Sequence, residues 1–143
     1  MGCSGRARSE KRAFCTGSVR GGAGSLLRMS DNLKILLTTF TDTESAETIV
    51  RQLLDEYLIA CGTLLPGATS FYPWEGEITK ASEVVVLMKT DRERSARCMT
   101  RLQGLHPYEV PEIILLEPEA VSGPYAAWVR DALGKPSLSS DDQ

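Results

Sequence analysis

The chain has little of what usually announces a function. Among its 143 residues there is one histidine, His106, and there are four cysteines, Cys3, Cys15, Cys61 and Cys98. No two cysteines are separated by two residues, which argues against the zinc-finger type of structural site. No window reaches about 18 consecutive apolar residues, so no membrane-spanning helix is expected. There is no phosphate-binding loop and no dinucleotide fingerprint. Acids outnumber bases 19 to 16, and the imbalance is uneven. Residues 1–29 carry six bases and one acid, Glu10, for +5; residues 30–143 carry ten bases and eighteen acids, for −8. An acidic domain argues against nucleic-acid binding.

What is there divides into three stretches. Residues 1–30 are rich in Gly, Ser and Arg, lack apolar periodicity, and read as a disordered basic tail. They lack the apolar core of a secretory signal. Met1-Gly2-Cys3 hints at acylation, but Arg6 stands where myristoylation wants Ser or Thr. Residues 31–134 form the expected domain, and 135–143 read as a second disordered tail. Two cysteines in a tail and two in a domain of this size are expected to be free thiols, in a reducing compartment.

Within the domain, Leu33–Phe40 is a short apolar run of the buried-strand kind. Thr41-Asp42-Thr43-Glu44 fits a capping box, with Thr41 as the cap, opening a helix whose apolar face runs from Ala46 to Leu58. Residues 61–74 and 77–90 are predicted as two long strands joined at Glu75-Gly76, with a bulge at Pro66-Gly67. Thr90-Asp91-Arg92-Glu93 is a second capping box, again with the threonine as cap. Its helix carries Cys98, Met99, Leu102 and Leu105 on one side. Ile113–Leu116 is a fourth strand. Tyr125, Trp128, Val129, Ala132 and Leu133 mark a short last helix, stopped by Gly134-Lys135-Pro136. The order is an α+β, ferredoxin-like βαββαβ with a long β-hairpin arm and a C-terminal helix.

Right-handed crossovers put both main helices on one face of such a sheet. The other face is then covered only by what the last helix reaches, although its strands are apolar on both sides. Four strands about 4.8 Å apart and roughly 20 Å long leave a face of about 400 Å². That is within the range of the largest patches monomers expose, so a homo-oligomer with this face inside is expected.

The lone histidine lies in Leu105-His106-Pro107-Tyr108-Glu109-Val110-Pro111-Glu112. The prolines push His106 and Val110 into extended backbone and stiffen the connector. An imidazole with a nearby carboxylate suits copper or zinc. A junction histidine bound to the backbone is the alternative use. Cys61 is either a metal ligand or a small core residue. Tyr72 and Trp74, two apart, share one strand face and suit an interface between subunits. Arg92, Arg94, Arg97 and Arg101 read as a solvated helix face. A Cys61–His106 thiol hydrolase has no activating motif around the thiol.

The runs Ala60-Cys61, Ser70-Phe71-Tyr72-Pro73-Trp74-Glu75-Gly76, Lys89-Thr90 and the His-Pro connector, followed by Tyr125 and Trp128, resemble the CutA divalent-cation-tolerance proteins. The resemblance covers about residues 33–133. It implies a ferredoxin-like homotrimer in which arms pair between subunits. Tyr72, Trp74 and Glu75 would then lie at the trimer interface. It implies cytoplasmic residence, a non-enzymatic role, and copper or another divalent metal as partner, with metal ligands at His106, Glu112 and Cys61. The fold is similar to PII-type signalling trimers, so a small effector held between subunits near Lys89 and the connector is a second implied use. Two positions depart from the family pattern. Thr38 stands where some members carry a cysteine proposed to bind copper. Pro73 stands where many carry an aromatic, and must face away from a ladder partner.

Overall fold

A computed structural model describes residues 32–141. The expected basic tail, with Met1-Gly2-Cys3 and Cys15, lies outside the described residues. The elements are β1 Leu33–Phe40, α1 Thr43–Asp55, β2 Cys61–Trp74, β3 Glu77–Asp91, α2 Arg92–Leu105, β4 Ile113–Leu116 and α3 Gly123–Asp141. The sheet order is β2-β3-β1-β4 with every pairing antiparallel. This is the ferredoxin-like arrangement read from the element order.

Alternation along the strands sorts the side chains onto two faces. Leu36 and Phe40 of β1 with Val84, Val86 and Met88 of β3 face α1 and α2. They pack with Ile49, Val50, Leu53, Cys98 and Leu102 in one core. On the opposite face, Val129 and Leu133 of α3 bury Leu33 and pack with Ile35 and Ala60. The last helix therefore covers one end of that face. Leu65 toward the other end, and Ile114 and Leu116 along the β4 edge, remain exposed.

Both helix caps sit one residue later than the capping boxes predict. Asp42 caps α1, its carboxylate accepting from the Ser45 N–H at 2.7 Å. Asp91 caps α2, accepting from the Arg94 N–H at 2.9 Å. The threonine hydroxyls have tertiary partners instead: Thr41 donates to the Tyr108 hydroxyl, and buried Thr90 donates to the Leu58 carbonyl at 2.7 Å. Each neighbouring aspartate, a stronger acceptor, takes the cap.

α1 also ends earlier than its apolar stripe, which continues to Leu58. The Leu58 N–H bonds the Leu53 carbonyl and the Tyr57 N–H bonds the Leu54 carbonyl. That pair is a Schellman closure, with Tyr57 in the left-handed position at φ 59°. Leu58 is buried from beyond the helix. The expected stop at Gly134-Lys135-Pro136 does not occur, and α3 runs to Asp141. Gly134 is not among the glycines with positive φ, so it does not form a left-handed cap.

The hairpin follows the sequence closely. Glu75 (φ 52°) and Gly76 (φ 83°) form a two-residue turn with both φ positive. The register slips between Leu65 and Ala68, where Pro66 and Gly67 bulge out, Gly67 at φ 82°. Beyond the bulge, β3 has only β2 beside it, because β1 pairs with β3 from Val84 onward. Residues 68–74 and 77–83 thus project as a two-stranded arm of about 23 Å. Trp74 and Glu77 close the turn, so the next pair, Pro73 and Ile78, is one that exchanges no ladder bonds. The missing N–H of Pro73 faces the outer edge, as a proline there requires.

Candidate functional site

The His-Pro connector and the base of the arm meet in one cluster of polar side chains. α2 ends at Leu105, and Pro107 prevents its continuation. His106 becomes the C-cap in extended backbone (φ −69°, ψ 137°), its N–H bonding the Leu102 carbonyl. This turn throws the imidazole onto the last residues of β1. It stacks on Phe40 with ring centroids 4.4 Å apart. It is 7% exposed.

Both ring nitrogens are engaged. Nε2 lies 2.9 Å from the Thr39 carbonyl, and the Tyr108 N–H donates to Nδ1 at 3.1 Å. A carbonyl only accepts and a backbone N–H only donates, so Nε2 carries the proton and the ring is neutral. Burial holds its pKa below the ordinary 6.5, opposed by the Thr39 carbonyl and the charge of Glu83. The alternative read from sequence, a junction histidine bound to the backbone, describes this geometry.

Tyr108 carries the connection onward. Its hydroxyl donates to Glu83 Oε2 at 2.9 Å, and the Ser70 hydroxyl donates to Glu83 Oε1 at 2.7 Å. Burial raises the Tyr108 phenol pKa; the negative charge of Glu83 adds to the rise, against a lowering by the Thr41 hydrogen bond. Ser70 and Glu83 belong to the two strands of the arm, so the connector is tied to both. Sequence reasoning passed over Ser70, Glu83 and Tyr108 as members of a site. A register signal existed: counting back from Glu75-Gly76 puts Ser70 beside Ala81, and alternation puts Glu83 on the same face.

The three predicted metal ligands are not brought together in one protomer. Cys61 pairs with Lys89, which pairs with Ile35, whereas His106 is held at Thr39. Four residues of strand, about 13 Å, separate those positions on β1. Cys61 Sγ lies 3.4 Å from the Tyr125 hydroxyl of α3. Glu112 is exposed just ahead of β4. Among the described residues no three His, Cys, Asp or Glu side chains are placed to hold a metal ion. Thr38 is fully buried, with its hydroxyl unpartnered. The residues present therefore do not fit a copper site within the protomer. Lys89, hydrogen-bonded to Thr63, likewise stands at the far end of β1 from the connector.

Tyr72 and Trp74 share one face of the arm, 41% and 61% exposed, while Phe71 and Ile78 are exposed on the other. Glu75 occupies the first position of the turn. Cys98 sits in the core, where burial pushes its thiol up to about 12 and leaves it inert. No helix among the described residues is long and apolar enough to cross a membrane.

Residues 34–132 match the family model of the CutA1 divalent ion tolerance protein. The divalent-cation tolerance protein CutA of Thermus thermophilus is 37% identical over 101 residues, covering 71% of this chain and 98% of that protein. The crystal structure of the CutA1 divalent ion tolerance protein from Ehrlichia chaffeensis superposes with a TM-score of 0.71 at 32% identity, over 73% of this chain and 98% of that one. The CutA structure from Xylella fastidiosa gives a TM-score of 0.68 at 38% identity, over 71% and 97% of the two chains. With a family match across nearly the whole described domain and the same fold in its relatives, the chain belongs to the CutA1 divalent ion tolerance family.

Proposed function

We propose that the chain acts in divalent-cation tolerance as a cytoplasmic, non-enzymatic homotrimer, with copper or another divalent metal as the ion it binds or responds to. The relatives are named for tolerance of divalent cations and not for a reaction. The observation that carries the assembly is apolar surface left bare in a single copy. Leu65, Ile114 and Leu116 on the sheet, and Phe71, Trp74 and Ile78 on the arm, are all at least 40% exposed. A lone two-stranded ribbon of this length is marginal in water. Strands of sister copies supply what it lacks, and Tyr72, Trp74 and Glu75 sit where such pairing would be made.

A cation then meets donors from the assembly and not from one protomer. Glu112, exposed on the connector, is the predicted ligand left open to that role. Oligomeric mass by light scattering, with metal content of the same purified sample, tests the reading. Three chain masses and a bound divalent ion are expected. A solitary chain at micromolar concentration overturns the assembly. A metal-free trimer that takes up neither copper nor zinc overturns the cation role. Phe71→Ser with Ile78→Ser is expected to shift the mass toward one chain while the core still folds.

A further inference from the structure

We infer that His106 is a positioning residue that holds Tyr108 on Glu83 and so fixes the arm to the connector, and that it is not a ligand for a divalent cation. The negative half rests on the cation reading above; the positive half does not.

The geometry leaves the imidazole no open valence. Nδ1 accepts the Tyr108 N–H at 3.1 Å, and the Nε2 proton points at the Thr39 carbonyl at 2.9 Å. Ligation through Nδ1 would displace the Tyr108 N–H. Ligation through Nε2 would require loss of its proton and rotation away from Thr39. Either move leaves a backbone group without its partner where water is largely excluded. The ring also lies flat on Phe40, with 8° between the planes, so it cannot swing out without losing that contact.

The same bonds have a consequence two residues on. The connector bends after His106, and the Tyr108 N–H bond to Nδ1 fixes that bend. The phenol thereby reaches Glu83 Oε2 at 2.9 Å, on the strand that begins the arm. Glu83 takes its other hydrogen bond from Ser70, on the opposite strand. The chain of contacts runs Thr39, His106, Tyr108, Glu83, Ser70. It joins β1, the connector and both arm strands, at the place where β1 stops pairing with β3. An arm clamped at its root is aimed in one direction.

The chain has a single histidine, so the test reads one imidazole. Tag-free full-length protein labelled with ¹⁵N is examined by long-range ¹H–¹⁵N correlation, alone and with added zinc chloride. One pyridine-type nitrogen, Nδ1, and one pyrrole-type nitrogen, Nε2, are expected, unmoved by zinc at equivalents that saturate the protein. A stoichiometric move of either nitrogen into the metal-bound range overturns the inference, and this measurement needs no variant. The second arm is His106→Gln. The titration midpoint of the Tyr108 phenol, followed by ring ¹³C shifts, is expected to fall toward the ordinary tyrosine value, with zinc affinity by calorimetry within twofold of wild type. An unmoved phenol with a zinc affinity lost more than tenfold overturns it. Wild-type protein that binds no zinc defeats the cation reading of the previous section, and the tautomer and the phenol midpoint then decide the brace alone.

Discussion

The imidazole of His106 lies flat against the ring of Phe40, centroids 4.4 Å apart and planes 8° from parallel. A stacked, buried and doubly hydrogen-bonded imidazole is favoured in its neutral form. Protonation would turn Nδ1 from an acceptor into a donor facing the Tyr108 N–H.

This sets the sign of a pH dependence. The folded pKa is depressed below 6.5, with burial as the largest cause. The unfolded chain therefore binds the proton more readily, and stability rises with pH. The contribution is complete above pH about 6.5 and is lost as pH falls through the folded value. Melting temperature is expected to drop as pH is lowered from 7.5 to 5, and His106→Gln to flatten that drop. Glu83, whose charge favours the imidazolium, keeps the effect smaller than burial alone would make it. A wild-type profile flat over that range contradicts it.

Thr38 offers a gain. Its hydroxyl is buried without a partner on a strand whose neighbours are apolar. Thr38→Val removes the unsatisfied group and keeps the shape, and is expected to stabilise by about 1 kcal/mol. Urea denaturation of the two proteins measures it. A loss of stability would contradict the reading of that hydroxyl as unsatisfied.

Gly62 is required for lack of room. A Cβ there would meet Val50 Cγ1 at 2.8 Å and Cγ2 at 3.3 Å. The β-branched side chain of Val50 is stiff, so it gives way poorly. Gly62→Ala is expected to cost about 1–3 kcal/mol by overpacking β2 against α1. The double variant with Val50→Ala is expected to recover part of that cost relative to Val50→Ala alone. Additive losses in the cycle would place the strain elsewhere.

Tyr57 holds a left-handed conformation that glycine adopts freely. The Schellman bonds of α1 depend on that backbone and not on the ring, which is 44% exposed. Tyr57→Gly is expected to raise stability by about 0.5–1 kcal/mol, read from the denaturation midpoint. A destabilised variant would show that the ring packs against another copy.

Much of the fold was legible because its signals are local. The turn at Glu75-Gly76, the bulge at Pro66-Gly67 and the apolar stripe from Ala46 to Leu53 each follow from a few adjacent residues. The two caps were displaced by one residue because Thr41 and Thr90 found distant acceptors, Tyr108 and Leu58, that no local pattern contains. The metal trio is not gathered within one protomer for the same reason. Glu112 and His106 are neighbours in sequence, but Cys61 is carried by the strand register to the other end of β1.

Element order, the alternating faces and the stiffness of the His-Pro connector were determined by the sequence alone, since side-chain period and proline geometry act over a few residues. The protonated nitrogen of His106, its tie through Tyr108 to Glu83 and Ser70, and the separation of Cys61 were decided only by tertiary structure. Their long-range partners lie 13 to 67 positions away in the chain, brought close by strand pairing and by the packing of α2 against the sheet.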